Sequence, residues 1–146
     1  MIEAFIRAAE SLTANSVETL GQFYSEQCEF TDPFQTVRGR GAVIQVYRDM
    51  FAHLHQPQFR NVRVLGAPKS VGQGQELALA WEFSFSLRQG KPRQNIPGCS
   101  LLQIDENLQI VRHFDYWDAS ALMQALPLVG PVVGFVRRKI AGNHEA

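Results

Sequence analysis

Apolar positions in the first third of the chain recur at helical spacing. Phe5, Ile6, Ala9 and Leu12 share one helical face, Asn15-Ser16 interrupts as a turn and N-cap, and Val17, Leu20, Phe23 and Tyr24 resume the pattern as a second helix. Cys28-Glu29-Phe30-Thr31 is a short extended stretch closed by Asp32-Pro33, since a proline disfavours helix at the residue before it. After the turn-rich Arg38-Gly39-Arg40-Gly41, residues Val43, Ile44, Val46, Tyr47, Met50, Phe51 and Leu54 predict a third helix, ended by Pro57.

From Phe59 onward the period changes to two. Phe59, Asn61, Arg63 and Leu65 alternate with Arg60, Val62 and Val64, and residues 66–74, rich in Gly, Pro, Ser and Lys, read as a loop. Leu77, Leu79, Trp81, Phe83, Phe85 and Leu87 then alternate with Ala78, Ala80, Glu82, Ser84, Ser86 and Arg88, which predicts a long strand with one apolar face. Gln89-Gly90 turns it into a strand over 93–104, and Asp105-Glu106-Asn107 turns that into a last strand over 109–117. The tail from Ala119 to Ile140 reads as helical in part, broken near Pro127 and Pro131. Helices followed by an antiparallel sheet make an α+β domain, and a sheet curled toward those helices encloses an apolar cone open to a ligand. The boundaries expected are a domain over 1–118 and a helical extension over 119–146 packed on it.

Composition narrows the function classes. With 146 residues, 45% hydrophobic and 19% charged, the chain can fill one core without disulfide or metal. Its 14 Lys and Arg equal its 14 Asp and Glu, so it lacks the positive field of a nucleic-acid binder. Cys28 and Cys99 form neither a CxxC nor a zinc-spaced cluster with histidines, which predicts reduced thiols and no metal site. Glu3 and Arg7 interrupt any secretory apolar core at the N-terminus, and no apolar run reaches the roughly 20 residues of a membrane span, so a cytoplasmic location is expected.

Two places carry candidate chemistry. Asp32, at the end of a short strand beside Phe30, Pro33 and Phe34, is either a partly desolvated carboxylate base or simply the Asp of an Asp-Pro turn. In the last strand, alternation puts Val111, His113, Asp115 and Trp117 on one face and Arg112, Phe114, Tyr116 and Asp118 on the other. Facing a cavity, His113 and Asp115 would make an acid/base pair; facing outward, they would be a solvated surface pair. His53 and His55 suit a cationic role at a helix C-terminus rather than a metal site. Arg38-Gly39-Arg40-Gly41 is too short for a phosphate loop, and Cys99-Ser100 lacks the context of a nucleophile.

The helix pair, the run from Tyr24 to Phe34 with Thr31-Asp32-Pro33, the following Val37-Arg38-Gly39-Arg40, and the ending His113-Phe114-Asp115-Tyr116-Trp117-Asp118 together resemble the NTF2-like superfamily, and within it the SnoaL-like, ketosteroid-isomerase-related bacterial branch. The resemblance runs from about Phe5 to Asp118 and implies the cone-shaped fold. It puts Asp32 at the position of the isomerases' proton-shuttling aspartate, and it makes the side bearing His113, Asp115 and Trp117 the cavity side. Asp115 is then the nearest match to the cavity acid of the superfamily's polyketide cyclases. The isomerases' two oxyanion donors do not carry over, because their positions fall on Ala8 and near Ser100. The Arg that limonene-epoxide hydrolases pair with two Asp has no counterpart at matching spacing.

These observations lead to a cofactor-independent isomerase, cyclase or lyase acting on a small apolar carbonyl compound. Asp32, His113 and Asp115 are the expected catalytic groups, and Trp81, Phe83, Phe85, Leu87, Ser100 and Trp117 the expected lining. Asp32 is expected within about one water-bridged contact of His113 or Asp115. The alternative is a non-catalytic ligand-binding or dimerisation module on the same fold. Phe114 and Tyr116 on the outer face predict a homodimer. The apolar tail from Leu122 to Val136, followed by Arg137-Arg138-Lys139, is expected to act as a lid on the open end of the cone rather than lie on a membrane.

Overall fold

The computed structural model describes residues 1–142; the last four residues of the expected extension lie outside it. Helix α1 (Ile2–Glu10) leads to a 3-10 helix (Val17–Phe23), then β1 (Tyr24–Thr31), β2 (Thr36–Arg38), α2 (Arg40–His53), β3 (His55–Val71), β4 (Gly74–Ser86), β5 (Gln94–Ile104), β6 (Ile110–Trp117), α3 (Ala119–Gln124) and α4 (Gly130–Ala141). The six strands form one sheet in the order β2-β1-β6-β5-β4-β3. The β1–β6 pair is parallel and every other pair antiparallel. The helices and the concave face of the sheet share one core, with Phe5, Leu20, Tyr24, Val43, Leu79, Trp81 and Leu102 among its buried members.

The second predicted helix is short and of 3-10 type. Its buried positions Val17, Leu20 and Phe23 recur every three residues, the 3-10 period, and Tyr24 begins β1 instead of continuing the helix. The predicted loop over 66–74 is mostly strand: Lys69, Ser70 and Val71 pair with Glu76, Gln75 and Gly74, and the reversal occurs at Gly72-Gln73 with Gly72 at φ 60°. Pro57 falls within β3, where it is buried, and the third helix already stops at His53. Pro131 opens α4 rather than breaking it, because a proline in the first helical turn removes no needed N–H.

Breaks of register give β3 its curl. The register with β4 shifts between His55 and Gln58, between Arg60 and Arg63, and between Leu65 and Lys69, and Gln56, Asn61 and Gly66 in those intervals have positive φ. The backbone N–H of Val62, at the second shift, donates to Glu10 Oε1 at 3.0 Å, which fastens α1 to the curl. The tail is divided between its two helices. Gly130 and Gly134 are buried, but Leu128 is 91% exposed and Val132 and Phe135 point to solvent. α4 packs on α3, is tied by Arg137 to Asp118 at 3.3 Å, and contributes no residue to the cavity wall.

Candidate active site

β6 lies between β1 and β5, and this placement assembles the site. Phe30 pairs with His113 and Thr31 with Phe114 in parallel register, and β1 ends there, so Asp32 follows one residue past the strand and Asp115 one residue past the last position of β6 paired to it. On the other side Ser100 pairs with Asp115, Leu102 with His113 and Gly98 with Trp117. Gly98 also stands opposite Trp81 in β4; with no side chain there, the indole lies across the strand, and a Cβ on Gly98 would collide with its ring. Trp81 Nε1 thereby reaches Ser100 Oγ at 2.8 Å.

His113 is 3% exposed and bonded at both ring nitrogens. Its Nε2 lies 2.7 Å from Asp115 Oδ1 and 3.2 Å from Ser100 Oγ, while its Nδ1 lies 2.7 Å from the Tyr24 hydroxyl. The Ser100 hydroxyl donates to the same Asp115 Oδ1 at 2.5 Å. Tyr24 OH is in turn 3.2 Å from Tyr47 OH. Side chains of four strands and α2 thus form one chain of hydrogen bonds, Trp81–Ser100–Asp115–His113–Tyr24–Tyr47. Burial, with the Asp115 and Tyr47 neighbours adding to it, pushes the Tyr24 phenol well up; burial and the facing Asp115 do the same for Tyr47. Both phenols therefore remain protonated donors.

Asp115 borders a cavity of about 290 Å³ whose walls include Phe30, Phe59, Trp81, Phe83, Phe85 and Trp117. Its mouth is at Phe34, which is 53% exposed and stacks edge-on against Trp117, and Leu122 of α3 is the tail's one contribution to the lining. Asp32 also borders this cavity, but its Oδ1 accepts the N–H groups of Phe34 at 2.7 Å and Gln35 at 3.0 Å. The turn and the cavity position expected of it therefore coexist. His113 lies behind Asp115, on a small adjoining void of about 20 Å³ that Ser100 also borders. Leu87 falls one residue beyond β4 and is absent from the lining, because the strand ends before the alternation does. His53 and Asp49 of α2 reach the cavity rim, with His53 Nδ1 donating to the Asp49 carbonyl at 2.7 Å as a helix-end group. Among the described residues no three His, Cys, Asp or Glu side chains are gathered as metal ligands.

In the sequence Tyr24 and Tyr47 stand out only as members of apolar helical patterns, although a phenol buried that deeply needs a partner for its hydroxyl. That need is the signal that would have found them.

A family model described as SnoaL-like domain matches residues 2–113, most of the chain. The chain belongs to the SnoaL-like domain family. Solved structures agree on its fold. A protein of ketosteroid isomerase-like fold from Catenulispora acidiphila DSM 44928, in complex with trimethylamine, superposes with TM-score 0.64 at 14% identity, covering 84% of this chain and 88% of that one. The epoxide hydrolase/cyclase-like enzyme SalBIII, of pyran ring formation in the polyether salinomycin, gives TM-score 0.60 at 14% identity over 82% and 88% of the two chains. An NTF2-like protein from Exiguobacterium sp. 255-15 gives 0.56 at 16% over 79% and 92%. No curated protein matches the chain in sequence at a significant level. At these identities the solved structures establish the fold, and the chemistry rests on the residues above.

Proposed function

We propose that this SnoaL-like protein is a cofactor-independent isomerase or cyclase that moves a proton on a small apolar substrate bearing a carbonyl group, with Asp115 as the acid/base. One observation carries this reading: the Asp115 carboxylate sits on the wall of an aromatic cavity with its Oδ1 held by His113 and Ser100. With Oδ1 so engaged, Oδ2 is the atom left to take a proton from carbon and return it elsewhere. The pair of donors fixes the carboxylate's orientation, and a positioned base contributes about 10²- to 10⁴-fold to such a transfer. A volume of about 290 Å³ suits a molecule of one or two rings. Asp32, at the mouth, is proposed as a second carboxylate that receives or relays the proton. That SalBIII, described as epoxide hydrolase/cyclase-like, shares the fold is compatible with ring-forming acid/base chemistry here.

The test is hydrogen exchange. Cyclic aryl ketones such as 1-tetralone and 2-tetralone, incubated with the protein in D₂O, should lose their α-proton NMR signals faster than in buffer. Asp115→Asn should slow this exchange by about 10²-fold or more, and Asp32→Asn by less. Tight binding with no exchange above buffer would instead favour a ligand-binding module.

A further inference from the structure

The hydrogen-bonded chain begins and ends on the same cavity. Asp115 and Tyr47 both border it, and between them the link runs through the protein by way of His113 and Tyr24. The ordering of donors along that link is not arbitrary. Nε2 of His113 faces a carboxylate and so carries a proton in either charge state of the ring. With neutral His113, Nδ1 is an acceptor; Tyr24 must then donate to it and can only accept from Tyr47. The Tyr47 proton is spent inside the protein, and its hydroxyl offers the cavity lone pairs alone. With His113 protonated, Nδ1–H donates to the Tyr24 oxygen, Tyr24 donates to Tyr47, and the Tyr47 O–H is free to point at a ligand.

We infer that Tyr47 is the hydrogen-bond donor to the substrate's carbonyl oxygen and that the protonation state of His113, read through Tyr24, decides whether it donates. The inference rests on the acid/base reading of Asp115. It supplies what Ala8 and Ser100 do not, a donor for the oxygen that becomes negative as Asp115 removes the proton. The C–H bond breaks, its proton passes to Asp115 Oδ2, and its electron pair moves through the carbonyl to an oxygen held by Tyr47. Return of the proton from Asp115 closes the cycle. Tyr24 touches no substrate in this scheme and is a positioning residue. The reading also demands that both phenols stay protonated, as their burial ensures.

Other charged or titratable groups face this assembly. Asp32 and Asp49 border the cavity with His53, and Cys28 and Arg40 lie near Tyr24, whose carbonyl accepts from Arg40 Nε at 2.8 Å. Among these His53 is the second imidazole at the cavity, so His53→Gln is the control background.

The experiment compares 1-tetralone with its hydrocarbon isostere tetralin, bound to the intact protein across pH, and follows the infrared carbonyl stretch of the bound ketone. In the wild type the ketone should be favoured over tetralin by about five- to tenfold while His113 is protonated, with a lowered carbonyl frequency. Both effects should fade as His113 loses its proton, monitored by the NMR shifts of its ring. Tyr47→Phe should abolish them at every pH. Tyr24→Phe, which keeps the ring and frees Tyr47 from its partner, should leave them at every pH. A pH dependence that survives Tyr24→Phe, or a carbonyl frequency that Tyr47→Phe does not move, would overturn the inference. Because binding is read without turnover, loss of exchange in Asp115→Asn does not bear on it, whereas a cavity that takes neither compound overturns both readings.

Discussion

At the scale of single residues, Ser100 shows how much one small side chain can hold. It accepts from Trp81 and donates to Asp115, so Ser100→Ala strands a buried indole N–H and removes one of the two donors that orient the carboxylate. Leaving a buried donor unsatisfied costs about 1–3 kcal/mol. We expect a fall of that size in chemical denaturation monitored by fluorescence, together with slower ketone exchange, while Ser100→Thr should preserve both hydrogen bonds. Gly98→Ala acts on the same indole by contact, since the added methyl would occupy ring space. Trp81 should tip toward the cavity and weaken tetralin binding, an outcome readable from the shift of its emission.

At the scale of elements, β1, α2 and β6 are joined by the Tyr24, Tyr47 and His113 contacts, and that junction has a pH signature. Both phenols have folded-state pKa values raised by burial above the ordinary value of about 10. A group shifted in that direction stabilises the fold fully below its unfolded pKa and loses the contribution as pH rises toward the folded one. Cys28, buried on β1 and also shifted up, adds to the effect from its own ordinary value of about 8.5. Unfolding free energy should therefore decline from about pH 8.5 upward and more steeply beyond about 10. Tyr24→Phe and Tyr47→Phe should each flatten the steeper part; a wild-type stability independent of pH over that range would refute the assignment. A second element contact, Glu10 to the Val62 N–H at the bulge of β3, holds α1 on the curled strand. Glu10→Gln, which retains an acceptor oxygen, should be tolerated better than Glu10→Ala.

At the scale of the whole molecule, α4 stands apart from the core that encloses the cavity. No residue of α3 or α4 is among the buried core, and Leu128, Val132, Phe135 and Ile140 present an apolar strip to solvent. Removing residues 125–146 should leave thermal stability nearly unchanged and lower the binding of a hydrophobic dye. Removing 119–146 should also take Leu122 from the cavity wall and weaken tetralin binding. A homodimer through the outer sheet face, where Tyr116 is 56% exposed, is proposed and is read by light scattering at micromolar concentration. No helix of the described residues is long and apolar enough to cross a membrane. The elements themselves were legible in the chain wherever a period lasted: the alternation of five apolar positions in β4 from Leu77 to Phe85 and the face of α2 are local patterns that burial on one side imposes. The alternation in β6 likewise puts His113, Asp115 and Trp117 on one face whatever strands flank it. Where the period was short or shared, the local pattern misled, as in the three-residue spacing of 17–23 and the Gly-rich end of β3. Which face of β6 looks inward was beyond local sequence, because parity fixes relative and not absolute orientation. Only the packing of β6 between β1 and β5 decided it, and the same packing brought Tyr24, 89 residues distant in the chain, onto His113. A hydrogen bond between buried side chains is a property of the assembled sheet and helices, and no pattern along one segment encodes it.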